Sequence, residues 1–138
     1  MTSPTETPWL LVVEDNASEL LLLEMALEEL GIPPLYEVVR DGQEALLRLQ
    51  QAPAPELVLM DINMPCLSGE EVLQALGNSL QGTQVVAWSV GWKEGDVAHM
   101  QALGASAYVG KPHTYEALLE LVRGLWAARP VGAKRALP

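Results

Sequence analysis

The chain has 138 residues and a formal net charge of −10, with 18 Asp and Glu against 8 Lys and Arg. This length is typical of one domain with a core of its own, and so acidic a surface argues against binding to nucleic acid. The single cysteine, Cys66, excludes an internal disulfide and favours a reducing compartment. No apolar stretch approaches the roughly 20 residues that would cross a bilayer. We therefore expect a cytoplasmic protein with neither a nucleic-acid nor a membrane partner.

Short apolar runs alternate with helical segments along most of the chain. Residues 1–8 are rich in Pro, Ser and Thr and predict a disordered leader. The tail, 128–138, is too short and polar to fold alone, and residues 9–127 are predicted to form one domain. Asn16 and Thr114 are expected to cap the first and last helices. The predicted strands are 9–13, 35–39, 56–60, 84–88 and 106–109, and the predicted helices are 17–30, 43–50, 70–76, 94–103 and 115–127.

The regular alternation of strands and helices predicts βαβ units with right-handed crossovers. We expect an α/β fold of the flavodoxin-like, doubly wound (βα)5 type, in which five parallel strands take the order 2-1-3-4-5. The unbroken apolar character of the strands fits a sheet that helices cover on both faces. In this strand order the topological switch point lies between strands 1 and 3, and ligands of such sheets bind outside the strand ends at that point.

Acidic residues follow both strands that flank the switch point. Glu14 and Asp15 come after the first strand, and Asp61 comes after the third. Three carboxylates in one place repel one another unless a cation is present, and Mg²⁺ suits them because it prefers hard oxygen ligands. We expect Asp15 and Asp61 to be direct ligands and Glu14 to act through water. Taken alone, Glu14 and Asp15 fit equally well a pair of acids that favour the start of a helix.

Polar residues also follow the fourth and fifth strands. Lys111 precedes Pro112, and its ammonium at this edge can pair with a carboxylate or with a phosphoryl oxygen. Ser89 can donate a hydrogen bond to the same oxygen. Each residue alone would fit an ordinary surface lysine or a serine in a turn. Together with the acids, they predict a site for a divalent cation and a phosphoryl group.

These residues resemble the motifs of a response-regulator receiver domain, in particular the single-domain, chemotaxis-regulator-like kind. The resemblance spans residues 9–127 and rests on motifs that occur in order: Val12 to Asn16 (VVEDN), Asp61 to Pro65 (DINMP), Gly69, Ser89 and Gly104 to Pro112 (GASAYVGKP). It implies a phosphoprotein of a two-component phosphorelay that signals by altered protein binding and is not an enzyme in the usual sense.

The resemblance also implies a role for each residue that would carry the chemistry. Asp61 is the phosphoacceptor and attacks a phosphoryl group held on a histidine of a sensor kinase. Glu14, Asp15, Asp61 and the main-chain carbonyl of Asn63 hold Mg²⁺. Lys111 contacts the phosphoryl oxygens.

The resemblance further implies that two residues respond to phosphorylation. Ser89 moves toward the phosphoryl group, and Tyr108 is the switch aromatic whose side-chain rotamer follows that movement. Without the resemblance, Tyr108 fits a partly buried strand aromatic. The chain departs from the family's usual pattern at Val90, which we expect to narrow access to the phosphoacceptor, at Gly91, which offers no side chain there, and at Ser68, where an Asp is frequent. None of these departures removes a phosphorylation residue.

A narrower resemblance, to phytochrome-associated response regulators, rests on residues 41–46, residues 104–112 and the final Leu-Pro. It implies a red-light-regulated sensor histidine kinase as the upstream partner, while the downstream protein partner stays unknown. Because the chain ends soon after the last helix, we expect a stand-alone regulator. That helix carries more apolar residues than one core stripe requires. The surplus fits either a homodimer through the strand 4 to helix 5 face and the tail or deeper packing into the helix's own domain.

Two other functions compete with this interpretation. A phosphorylation-independent, receiver-like interaction module would not need the phosphorylation residues, yet all of them are present. A haloacid-dehalogenase-like phosphatase would also use Asp61 as a nucleophile, but it would need an acid two residues later, where this chain has Asn63. Such a phosphatase would further need a substrate cap, for which the chain is too short.

Overall fold

The computed structural model describes residues 8–64, 67–77, 82–90 and 94–128. In this part of the chain, five strands alternate with five helices, as the sequence predicts. The strands are β1 (Leu10–Val13), β2 (Tyr36–Val39), β3 (Leu57–Asp61), β4 (Gln84–Ser89) and β5 (Ala107–Gly110), and the helices are α1 (Ala17–Glu29), α2 (Gly42–Leu49), α3 (Gly69–Leu76), α4 (Glu94–Ala102) and α5 (Tyr115–Ala127).

The strands form one parallel sheet in the order β2-β1-β3-β4-β5, so the predicted doubly wound order is confirmed. Val13 pairs in register with Met60 across β1 and β3. The residues that follow this pair, Glu14 and Asp61, therefore lie at the same edge of the sheet. The switch point between β1 and β3 is the place where the acids meet.

Alternate residues of the strands build two apolar layers, one on each face of the sheet. Leu10 and Val12 of β1 face the layer formed with α1 and α5, whereas Leu11 and Val13 face the layer formed with α2, α3 and α4. All four of these side chains are buried. Both faces are thus covered, and the sheet edge at the strand ends is the place left for polar chemistry.

Three strands carry their hydrogen bonding further along the chain than predicted. Asp61 is the last residue of β3 and pairs with Trp88, while Ser89 ends β4 and pairs with Gly110 of β5. The polar side chains do not end the strands, because the backbone ladder continues past them whatever side chain follows. Asp61 and Ser89 are consequently held by strands rather than by loops.

Side-chain caps fix where the helices begin. Asn16 accepts a hydrogen bond from the Glu19 N–H at 3.0 Å, and Thr114 accepts one from the Ala117 N–H at 3.0 Å, so both predicted caps are present. Ser68 forms a capping box with Glu71 at the start of α3. The serine that departs from the family's frequent Asp therefore serves the loop before α3.

A close backbone contact joins the start of α2 to the loop between β3 and α3. A Cβ atom at Gly42 would lie 1.9 Å from the carbonyl oxygen of Leu67. Only glycine permits this approach, which supports the loop that also carries Asn63.

The apolar surplus of α5 packs inward. Leu118 and Val122 are buried, and the other large apolar side chains of the helix are half-buried against the layer shared with α1. Trp126 meets Trp9 edge to face, with ring centroids 4.8 Å apart. Of the two explanations offered by the sequence, deeper packing into the helix's own domain therefore accounts for most of the surplus. The most exposed large apolar side chains of the described residues are elsewhere: Leu21, Leu22, Met25, Leu47 and Val90.

The predicted leader and tail fall mostly outside the described residues, as do Cys66 and Gly91. Pro8, the last residue of the predicted leader, is buried, and its carbonyl accepts a hydrogen bond from the Glu56 N–H at 3.3 Å. Within the described ranges, no helix is long and apolar enough to span a membrane.

Candidate functional site

Three carboxylates converge at the sheet edge. Glu14 follows β1 directly, Asp15 is next, and Asp61 ends β3; one oxygen from each lies within 4.8 Å of the others. Glu14 and Asp61 are 1% and 4% exposed, whereas Asp15 is exposed. The structure therefore brings together all three acids that the sequence places at the switch point.

Glu14 is the most deeply buried of the acids. Its Oε2 accepts a hydrogen bond from the Asn16 N–H at 3.1 Å, and its Oε1 accepts one from Lys111 Nζ at 3.0 Å. Burial raises the pKa of Glu14 from its ordinary 4.5 to about 8, although the bonds from Lys111 and Asn16 act in the opposite direction. Without a cation, this carboxyl group therefore keeps its proton for much of the time at neutral pH.

Asp61 is held through both of its oxygens. Oδ1 accepts a hydrogen bond from the Asn63 main-chain N–H at 3.0 Å, and Oδ2 accepts one from Lys111 Nζ at 3.2 Å. The main chain of Asn63 thus contacts Asp61 through its N–H. The role of the Asn63 carbonyl in metal binding stays a prediction.

Lys111 reaches the acids from the end of β5. Its backbone N–H donates to the Ser89 carbonyl at 3.0 Å, which fixes the start of the β5–α5 loop beside β4. The ammonium contacts carboxylate oxygens of Glu19, Glu14 and Asp61 at 2.5, 3.0 and 3.2 Å, and it lies 5.3 Å from the centroid of the Trp88 ring. Burial alone would lower the pKa of Lys111, but the hydrogen bonds to Glu19 and Glu14 outweigh burial and raise it above its ordinary value. Lys111 is therefore a permanent positive charge.

Neutral groups occupy the other side of Asp61. The Ser89 hydroxyl, which is buried, accepts a hydrogen bond from Asn63 Nδ2 at 3.1 Å and donates one to the Val90 carbonyl at 3.3 Å. Tyr108 is half-buried beside them; burial raises the pKa of its hydroxyl, and a hydrogen bond with Ser89 acts in the opposite direction. The side chain of Val90, 67% exposed, lies in the surface beside this group. Ser89 and Tyr108 thus lie within hydrogen-bonding reach of each other, and their role as a switch stays a prediction.

The sequence interpretation missed Glu19, the partner with the shortest contact to Lys111. Glu19 belongs to the first turn of α1, where acidic residues are common because they favour the helix start. Its sequence position therefore gives an ordinary structural explanation and conceals the contact. The only available signal is that α1 begins directly after Glu14 and Asp15, so that its first turn borders the site.

The donor set fits a hard divalent cation. Carboxylate oxygens suit Mg²⁺, Ca²⁺ and Mn²⁺, whereas zinc sites in proteins use mainly Cys and His. His99 is exposed, and its Nε2 lies 2.9 Å from Glu70 rather than at the acids. Among the described residues, Glu14, Asp15 and Asp61 are the only group of three such side chains close enough to hold a metal ion. These acids can therefore bind a divalent metal.

Sequence comparisons connect the chain to known proteins. Residues 10–123 match the family model of the response regulator receiver domain. The chain is 32% identical to the probable methanogenesis regulatory protein FilR2 of Methanothrix harundinacea over 88% of this chain and 85% of FilR2. It is 30% identical to the response regulator Rcp1 of Synechocystis sp. over 84% of each chain.

Solved structures agree with the sequence comparisons. The phosphorylated cyanobacterial phytochrome response regulator RcpA superposes with a TM-score of 0.79 at 30% identity, over 96% of this chain and 99% of RcpA. The Mn²⁺-bound form of Rcp1 superposes with a TM-score of 0.73 at 29% identity, over 94% of this chain and 97% of Rcp1. The fold, the converging acids and the family match agree, and the chain belongs to the response regulator receiver family, whose members act in two-component signalling.

Proposed function

We propose that this receiver accepts a phosphoryl group on Asp61 from a phosphohistidine of a sensor histidine kinase. The observation that carries the proposal is the separate engagement of the two Asp61 oxygens, one by the Asn63 N–H and the other by the Lys111 ammonium. A carboxylate held at both oxygens has one orientation, and a fixed nucleophile lowers the entropic part of the barrier to transfer.

The transfer needs positioning and charge more than covalent help. One oxygen of Asp61 forms a bond to phosphorus while the bond from phosphorus to the histidine nitrogen breaks, and the electron pair leaves on that nitrogen. The Lys111 ammonium offsets negative charge on the phosphoryl oxygens. The Asn63 N–H steadies the carboxylate during the attack, and the product is an acyl phosphate on Asp61.

We propose Mg²⁺ as the cation of this site, held by Glu14, Asp15, Asp61 and the main-chain carbonyl of Asn63. When bound, Mg²⁺ offsets the charge of the carboxylates and of the incoming phosphoryl group. The support is the all-oxygen donor set and the convergence of the acids. Because the pKa of Glu14 is about 8 without a cation, this residue must release a proton for binding near neutral pH.

We further propose that Ser89 and Tyr108 transmit the arrival of the phosphoryl group. The Ser89 hydroxyl is bonded to Asn63 and Val90, both neutral partners, so a charged acceptor on Asp61 would attract it more strongly. Tyr108 shares a hydrogen bond with Ser89 and would lose or redirect it. A local change in charge can in this way bias the packing of β5 and α4.

The upstream partner that we propose is a phytochrome-type histidine kinase, and the compartment is the cytoplasm. RcpA is described as a phytochrome response regulator, and this chain matches it over nearly the full length of both. The net charge of −10 would favour a kinase surface with basic residues. The downstream protein partner is not identified by these features.

A homodimer through the β4 to α5 face, with the tail contributing, is also a proposal. Its support is the set of apolar side chains on this face that stay half-buried, among them Val109, Leu121 and Trp126. Size-exclusion chromatography with light scattering, before and after phosphorylation, tests it. A monomer in both states would contradict it.

The proposed phosphoacceptor is tested by intact mass after incubation with Mg²⁺ and either acetyl phosphate or a phosphorylated histidine kinase. The wild type should gain one phosphoryl group, and Asp61→Asn should gain none. Asp41→Asn is the matched control, because Asp41 also follows a strand at this edge and Asn can replace it as the cap of α2. An unmodified wild type, or labelling of Asp61→Asn equal to that of the wild type, would contradict the proposal.

A further inference from the structure

The Lys111 ammonium has a third carboxylate partner that is not one of the metal-site acids. Glu19 Oε1 lies 2.5 Å from Lys111 Nζ, a shorter distance than those to Glu14 and Asp61. Glu19 comes from the first turn of α1 and is 35% exposed, whereas the Lys111 side chain is 11% exposed. The contact thus joins a mostly buried cation to an acid at the rim of the site.

An ammonium group has three N–H donors, and in this structure each can be assigned to an oxygen of a different carboxyl group. A phosphoryl group on Asp61 would bring further anionic oxygens to the same ammonium. To bond one of them, Lys111 must weaken or give up a contact that it already makes. The residue that releases Lys111 therefore influences how strongly the site holds a phosphoryl group.

Glu14 and Asp61 differ from Glu19 because a bound cation, and not only Lys111, can balance their negative charge. Both belong to the group of acids that converges on one point, where a cation can neutralise them. Glu19 is not part of that group. Its charge is favoured by the N-terminus of α1 and by Lys111, so its bond to Lys111 does not depend on the metal.

We propose that Glu19 is a positioning residue that competes with the phosphoryl group for Lys111. It holds the ammonium toward α1 in the unphosphorylated protein and offsets part of its charge, which limits the affinity of the site for a phosphoryl group. This inference rests on the proposed function of Asp61 as the phosphoacceptor.

The competition predicts two changes of opposite sign in Glu19→Gln. The neutral amide still reaches Lys111 but binds it less strongly than a carboxylate does, so the affinity for a phosphoryl analogue should rise about three- to tenfold. The affinity for Mg²⁺ should fall about two- to threefold, because one negative charge near the acids is lost. A role limited to holding Lys111 in place would instead lower the affinity for the analogue.

The experiment titrates the full chain first with Mg²⁺ and then, at saturating Mg²⁺, with beryllofluoride as the phosphoryl analogue. Intrinsic fluorescence reports both steps, since the Trp88 ring lies 5.3 Å from Lys111 Nζ. The matched control is Glu116→Gln, which removes the same charge from the first turn of α5, a helix of the same 13-residue length as α1. The control should leave both affinities unchanged, and Glu19→Ala should shift both in the same directions as Glu19→Gln.

The outcomes separate this inference from the function on which it rests. A wild type that binds no beryllofluoride in the presence of Mg²⁺ overturns both. A wild type that binds it, with Glu19→Gln and Glu19→Ala folded and equal to or weaker than wild type, overturns only the competition. Tighter beryllofluoride binding together with weaker Mg²⁺ binding in both variants, but not in the control, supports the competition.

Discussion

The two sides of Asp61 differ in how their hydrogen bonds are built. On one side, which we call the charged half, Glu14, Asp15, Glu19 and Lys111 are joined by ion pairs or packed as acids around one point. On the other side, the neutral half, Asn63, Ser89 and Tyr108 are joined by hydrogen bonds between uncharged groups. Charged bonds are roughly twice as strong as neutral ones, so the neutral half can rearrange at lower cost.

This difference suggests a division of labour. If the proposed function holds, the charged half would set whether a cation and a phosphoryl group are accepted, because its members carry the charges that those groups would meet. The neutral half would set whether their arrival is passed on, because its bonds are the ones that a new charge can redirect. The predictions below test whether the two halves can be changed separately.

The largest effect on stability is expected at the support of the neutral half. In Gly42→Ala, the new Cβ would collide with the Leu67 carbonyl, which is backbone and cannot move aside alone. We expect the free energy of unfolding to fall by about 1 to 3 kcal/mol, as for overpacked sites, and the loop before α3 to shift with Asn63. Urea denaturation measures the first change, and amide chemical shifts of residues 61–64 measure the second.

Gly124→Ala is the matched control for that substitution. Gly124 is an exposed helical residue of α5 with open space where its Cβ would lie. Alanine there should raise the free energy of unfolding by about 0.5 to 1 kcal/mol, because glycine inside a helix is costly. If Gly42→Ala behaved like Gly124→Ala, the contact between α2 and the loop would not support the neutral half.

The next effect concerns the charged half and depends on pH. The pKa of Glu14 is about 8 in the folded protein and near its ordinary 4.5 in the unfolded chain. Between these values the folded state holds a proton that the unfolded chain has lost, so the free energy of unfolding falls as pH rises from about 4.5 to about 8. Glu14→Gln removes this contribution. Relative to wild type, the variant should gain about 1 to 3 kcal/mol between pH 5 and pH 7, since the contribution of Glu14 falls by about 1.4 kcal/mol per pH unit between its two pKa values.

Denaturation with a chelator present, over a series of pH values, measures this difference. Glu24→Gln, at an exposed position of α1, should give a curve parallel to that of the wild type. Saturating Mg²⁺ should remove the advantage of Glu14→Gln at high pH, because only the wild type retains all three acids. Parallel curves for Glu14→Gln and the wild type would show that burial of Glu14 does not govern the stability of the charged half.

The convergence of Glu14, Asp61 and Lys111 could be predicted from the sequence because it depends only on topology. Parallel strands end at one edge, and the order of the strands puts β1 beside β3. A polar residue that directly follows an apolar run can therefore be placed at this edge of the sheet, with an error of about one residue along the strand. The strands continue one residue further than predicted at Asp61, Ser89 and Gly110 because backbone pairing is insensitive to the change from apolar to polar side chains.

The contacts that could not be predicted depend on the direction of side chains and the distance between loops. Glu19 and Lys111 are 92 residues apart in sequence, and their contact depends on how far one long side chain extends across the site. The approach of Leu67 to Gly42 likewise depends on how the β3–α3 loop meets the start of α2, and it leaves no sequence pattern beyond a glycine. The surplus of apolar residues in α5 could be seen in the sequence. That α1 covers these residues could not be predicted, because it depends on how the two helices pack.

The smallest effect is expected at the far end of the neutral half. Tyr108→Phe removes the hydroxyl that bonds with Ser89 and keeps the ring, so the free energy of unfolding should change by less than about 1 kcal/mol. Phosphorylation by acetyl phosphate, followed by intact mass, should stay within about twofold of wild type, because no charge is altered. The chemical-shift response of α4 and β5 amides to beryllofluoride should nevertheless become smaller.

Tyr36→Phe is the control, because Tyr36 is a half-buried tyrosine on the edge strand β2, and this substitution should leave both measurements unchanged. Loss of phosphorylation in Tyr108→Phe would mean that the two halves act as one unit, and an unchanged shift response would mean that Tyr108 does not transmit the signal.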